Sequence, residues 1–126
     1  MKKTVVRTTV VVLYSLLMVL VSLMPGSGSE PWFPQDDKLM HMGAYAMFAV
    51  LCAPFWLRSN NIQRTTLMIL ALLWLFSGAM ELGQTQVPNR DASWLDMLAN
   101  TLGLALGWQI SRHIKKARIW RAFVAD

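Results

Sequence analysis

Four long apolar runs, each closed off by charged or turn-forming residues, set the pattern of this chain: about 8–24, 39–57, 65–83 and 94–110. Each approaches the ~20 residues that an α-helix needs to cross a hydrocarbon core of ~30 Å. The first and third are the clearest, whereas the second carries His41, Tyr45 and Pro54 and the fourth carries Asp96 and Asn100. Polar residues inside an apolar run lower its hydropathy, yet they suit a helix packed within a bundle. The pattern therefore predicts an all-α fold, an integral membrane four-helix bundle, with residues 1–126 forming one domain.

The connections read as follows. Residues 58–64, with Ser59, Asn60 and Asn61 between Arg58 and Arg64, have the composition of a plain turn. Residues 25–38 interleave Pro31 and Pro34 with Trp32 and Phe33, an irregular segment expected to anchor in the headgroup layer. Lys2 and Lys3 ahead of the first run and Gly26-Ser27-Gly28-Ser29 after it share features with a cleavable secretory signal. The length of the run and the position of Pro25 favour a retained helix instead.

Composition agrees: 55% of residues are hydrophobic and 15% charged, more apolar surface than one soluble core of this size can bury. A net charge of +5 raises the question of nucleic acid, and placement answers it. The basic residues flank apolar runs rather than sharing a face with stacking aromatics, which excludes a nucleic-acid partner and leaves the lipid bilayer as the expected one. Of the twelve Lys and Arg residues all but Lys38 and Arg90 fall on one side of the expected membrane, so both termini are expected to be cytoplasmic. Glu30, Asp36, Asp37, Glu81, Asp91 and Asp96 gather on the other side, and only Asp126 lies with the basic blocks.

The polar residues of that outer end form a constellation. Asp37, His41 and Tyr45 are spaced by four, placing them in one helical stripe, with Lys38 starting the adjacent one. Glu81 and Gln84 are three apart and hence neighbours, with Gly78 one turn deeper. Asp96, Asn100, Gly103 and Gly107 line one face of the fourth helix, polar outside and bare further in, and Ser93 is placed to cap it. The Gly103/Gly107 face predicts the close approach of another helix, a candidate helix–helix contact. Cys52 is alone, excluding an intramolecular disulfide and reading as a packed apolar residue. His113 reads as a surface residue of the basic tail.

Ionisable groups near membrane depth are costly unless paired, hydrated or bound to a ligand. One reading is a satisfied network, with Arg90 or Lys38 paired to Glu81 and Asp96 and the amides of Asn100 and Gln84 bonding between helices. The other is an outward-facing site made of Asp37, Lys38, His41, Glu81, Gln84, Arg90, Asp96 and Asn100. In that site His41 has the chemistry of a general base, and Arg90 with Lys38 that of a clamp for phosphate or carboxylate. A single histidine with scattered acids lacks metal-ligand spacing, and no nucleophile elbow or phosphate-cradling glycine loop is present, so neither a metal nor a cofactor is expected.

Asp37-Lys38-Leu39-Met40-His41 followed by Tyr45, then Glu81-Leu82-Gly83-Gln84, then Arg90, Asp91 and Ser93, then Asp96-Met97-Leu98-Ala99-Asn100-Thr101-Leu102-Gly103, together resemble the VanZ-like family of small bacterial membrane proteins. The resemblance runs from about 37 to 107. It implies a multi-pass four-helix domain in the bacterial inner membrane, an association with the cell envelope, and a motif set that coincides with the eight residues above.

Three functions are open on this reading. The first is an envelope protein whose outer polar site binds a lipid-linked or cell-wall-related headgroup. The second is a membrane-embedded enzyme acting on a phosphate- or acyl-bearing lipid, with His41 as base, Glu81 or Asp96 as its partner and Arg90 as anion clamp. The third is a structural or assembly subunit whose polar cluster holds helices together.

Overall fold

The computed structural model describes residues 2–25, 36–90 and 93–114. The described residues form four helices and no strand: α1 (Lys2–Leu23), α2 (Asp36–Leu57), α3 (Ile62–Gln84) and α4 (Trp94–Ile114). The Trp32/Phe33 anchor, Glu30, Asp91 and the terminal Lys115, Lys116, Arg118, Arg121 and Asp126 lie outside the described residues.

Each helix runs past the limits of its apolar run where the flanking residues favour helix. Lys2, Lys3 and Arg7 are good helix formers and extend α1 toward its start. Asp36 and Asp37 occupy the first turn of α2, where carboxylates meet the positive end of the helix dipole. Asn61 caps α3, its side chain accepting from the Arg64 amide at 3.0 Å, and Ser93 Oγ accepts from the Asp96 amide at 3.3 Å to start α4.

Three of the helices, α1, α2 and α3, are long and apolar enough to cross a membrane. The exception is α4, which carries Asp96, Asn100, Gln109 and Arg112 among its apolar residues. Packing explains Asp96 and Asn100, which are buried because α4 packs chiefly against α2, while Leu98, Leu102 and Leu106 on its other face stay exposed. At Gly103 a Cβ would collide with the Met42 carbonyl oxygen, and at Gly107 with that of Ala46, so only glycine lets the two backbones approach this closely. The close helix approach expected of the Gly103/Gly107 face is thus made within the chain. Ser111, one turn further, is buried and donates to the Gly107 carbonyl at 2.7 Å.

Aromatic side chains tie the other helices to this pair. Phe48 meets Tyr14 of α1 at 5.4 Å and Phe76 of α3 at 5.6 Å between ring centroids, tilted or edge-on as ring quadrupoles prefer. The Tyr14 hydroxyl also donates to the Ala44 carbonyl at 2.9 Å. Around them Tyr45, Ala49, Cys52, Ala53, Trp56, Leu73 and Leu104 complete the core. The surface inverts the usual order: Leu13, Leu20, Leu67, Leu72 and Leu75 stand more than half exposed while Ser77, Asn100 and Ser111 are fully buried.

Candidate functional site

The eight residues expected to form a site all lie at the end of the bundle where α2 and α4 begin and α3 ends; seven of them divide into three arrangements, and the eighth, Gln84, is buried and lines a cleft beside them. The first is buried. Asn100 of α4 is wholly enclosed, and its Nδ2 donates to Ser77 Oγ at 2.8 Å and Glu81 Oε1 at 3.0 Å, both on α3. Its Oδ1 lies 3.1 Å from His41 Nδ1 on α2. Since the carboxylate oxygen needs a donor, the amide NH₂ must face Glu81, which leaves the carbonyl oxygen facing the histidine. With the amide so placed, a neutral His41 ring is assigned its proton on Nδ1, which leaves Nε2 as the nitrogen facing other chemistry.

This arrangement links three helices through one amide. The chain of polar contacts continues from Ser77, whose hydroxyl donates to Met97 Sδ at 3.4 Å. Glu81 Oε1 also lies 3.6 Å from His41 Nδ1, an ion pair when the ring is protonated. Among the described residues, Glu81 Oε2 is buried without a hydrogen-bond partner.

The second arrangement stands at the mouth. Lys38 Nζ bridges Asp37 Oδ2 at 2.7 Å and Asp96 Oδ1 at 2.9 Å, so one cation joins the starts of α2 and α4. The Asp96 side chain is 4% exposed and that of Asp37 55% exposed, which makes the Asp96 contact the one that matters for stability. Asp96 Oδ1 is buried without a hydrogen-bond partner among the described residues, and the 2.9 Å ion pair with Lys38 is what compensates it.

Arg90 makes the third. The chain after α3 turns through Gln86, Val87 and Asn89, the last with φ of 57°, a left-handed conformation that asparagine tolerates. The turn carries Arg90 back to the end of α1, where Nε donates to the Met24 carbonyl and Nη2 to that of Val21, both at 3.2 Å. Arg90 thus closes the carbonyl end of α1, a favourable place for a cation. Neither Glu81 nor Asp96 is its hydrogen-bonded partner. Asp96 is held by Lys38 instead.

Two clefts flank the buried amide. One, of about 290 Å³, is walled by Met18, Val21 and Ser22 of α1 and lined on its polar side by Asp37, His41, Gln84 and Arg90. The other, of about 580 Å³, is an apolar groove between α3 and α4 bounded by Trp74, Trp94 and Met97 with Glu81 at its base. Among the described residues no group of three His, Cys, Asp or Glu side chains is placed to hold a metal ion.

Ser77 is the member that sequence reasoning missed. It precedes Glu81 by four and so shares its helix face, a spacing that would have marked it. Tyr45, last of the α2 stripe, is buried within the aromatic core. The chain matches no protein-family model, no curated protein and no solved structure.

Proposed function

We propose that this chain is a multi-pass VanZ-like protein of the bacterial inner membrane, with both termini cytoplasmic. In this reading the cleft lined by Asp37, His41, Gln84 and Arg90 opens outward and holds a lipid-linked or cell-wall-related headgroup. The observation that carries the reading is the contrast between that cleft and its surroundings. An acid, an imidazole, an amide and a guanidinium converge on about 290 Å³ at one end of a protein whose exposed side chains are otherwise largely aliphatic. Exposed Leu and Val along α1 and α3 suit contact with acyl chains, and a headgroup offers the charge and hydrogen bonds that the cleft residues can use. The apolar wall from α1 suits the part of such a ligand next to its headgroup.

The membrane-embedded enzyme stands as a second reading, favoured by one observation. Asn100 fixes the His41 tautomer so that Nε2 is the nitrogen left for a bound group, which is how a general base is oriented. Glu81, 3.6 Å from the same ring, would stabilise the imidazolium after proton uptake.

The orientation on which both readings depend is tested with Ser22→Cys, a cleft-wall position, and a membrane-impermeant maleimide, in a background where the buried Cys52 is replaced by alanine. Labelling of intact cells but not of inverted vesicles is the expected result. Labelling of inverted vesicles alone would place the cleft inside and overturn both.

A further inference from the structure

The groove between α3 and α4 shares no lining residue with the His41 cleft. Gly78 and Ala79 are small, which leaves its space of about 580 Å³ open between the two helices. Trp74 Nε1 donates to Thr101 Oγ1 at 3.2 Å, fixing one indole across the helix pair, and Trp94 stands exposed at the start of α4. Between Trp74 and Thr85 the groove follows α3 for about 16 Å at 1.5 Å per residue.

A carboxylate in an apolar groove needs compensation, and Glu81 has it on one oxygen. Oε1 accepts from Asn100 at 3.0 Å, whereas Oε2 is buried without a hydrogen-bond partner among the described residues. A buried carboxylate oxygen without a donor is destabilising, so the groove favours an occupant that brings one. Glu81 as a residue is 8% exposed, and the terminal torsion of a glutamate is soft, so a small turn presents Oε2 to the groove that the residue lines.

The surroundings select the occupant. Leu75, Leu82 and Leu98 stand exposed beside the groove, a rim that suits acyl chains. An extended peptide laid there would carry backbone amides and carbonyls into apolar surroundings without partners, whereas an acyl chain carries none. Among lipid headgroups a primary ammonium offers the carboxylate both positive charge and three N–H donors, and a quaternary ammonium offers charge alone.

We infer that this groove holds a phospholipid with a primary-ammonium headgroup, the ammonium donating to Glu81 Oε2 and an acyl chain lying along Leu75, Ala79 and Met97. Charge complementarity at the base and apolar contact along the walls act together. The site depends neither on which face of the membrane this end occupies nor on the headgroup proposed for the His41 cleft.

The test uses the full chain in nanodiscs of equal parts phosphatidylethanolamine and phosphatidylcholine with identical acyl chains, and native mass spectrometry of the lipids it retains. Wild type should keep phosphatidylethanolamine over phosphatidylcholine by about fivefold. The N,N-dimethyl lipid, close to choline in bulk but with one N–H left, should be retained more like ethanolamine than like choline. Glu81→Gln, which replaces the acceptor charge, and Ala79→Phe, which fills the groove from an exposed position, should each bring the ratio near one. Leu17→Phe, an exposed site on α1 away from the groove, should leave it unchanged. Should Glu81→Gln fail to fold, Ala79→Phe decides alone, because Ala79 lies outside the polar cluster. Equal retention of the two lipids by wild type, or a preference kept by either folded groove variant, overturns the proposal. A dimer that Ala79→Phe dissolves, without any lipid preference in wild type, gives the groove to a second copy of the chain and overturns it too.

Discussion

Asn100 of α4 and His41 of α2 meet at 3.1 Å between amide oxygen and Nδ1, and the other end of the same amide reaches across to α3. Because Asn100 is fully buried, its removal leaves Ser77, Glu81 and His41 each short of a partner. Asn100→Ala should lower stability by about 1–3 kcal/mol. Thermal unfolding in detergent checks this, with Ser77→Ala expected to cost less because it removes a single contact with Asn100.

The glycines separate by what lies over them. Gly103→Ala and Gly107→Ala push a methyl into backbone atoms of α2 and should destabilise by about 1–3 kcal/mol or more. Nothing lies within 4 Å of a Cβ at Gly43, and at Gly78 the nearest atom is Met97 Cε at 3.7 Å. Alanine at these two should be neutral or stabilising by up to about 1 kcal/mol through helix propensity. A melting series of the four variants reads the difference in sign.

Lys38 serves one buried and one exposed acid. Lys38→Ala strands the Asp96 carboxylate and should cost about 1–3 kcal/mol, whereas Asp37→Ala should cost less than about 1 kcal/mol. The double variant Lys38→Ala with Asp96→Ala should lose less than the sum of the single losses, and a double-mutant cycle measures that coupling.

Arg90 acts on the end of α1. Arg90→Gln should raise hydrogen exchange of the last turn of α1, while amides of α2 and α4 around Gly103 keep their protection. Equal exchange in both proteins would show that the two carbonyl contacts do not hold that turn.

These contrasts show what the sequence makes legible. The four helices follow from apolar runs bounded by charge, and Ser93 as cap and Gly103/Gly107 as a close-approach face follow from local rules that need no tertiary information. The gathering of Asp37, His41, Glu81 and Asp96 at one end of the bundle also follows, since spacing and the limits of the apolar runs fix which end of a helix a residue occupies. Partners within that gathering do not. Arg90 is next to the acids in any plan of the spans, yet a left-handed Asn89 turns it toward α1, and that turn is set by backbone geometry rather than by residue pattern. Similarly, Glu81 lines the groove between α3 and α4 rather than the cleft beside His41, although the two side chains approach to 3.6 Å, a matter of helix rotation that spacing leaves open.

The central claim is that the Asp37, His41, Gln84 and Arg90 cleft holds a headgroup. Mass spectrometry of the lipids and small molecules that copurify with the solubilised protein tests it most directly, comparing wild type with Asp37→Asn, His41→Gln and Gln84→Ala at matched melting temperature. A species bearing a charged headgroup, retained by wild type and lost from all three variants, is the result expected. The same species in the same amounts from wild type and all three variants would contradict the claim and leave the polar cluster as a means of holding α2, α3 and α4 together.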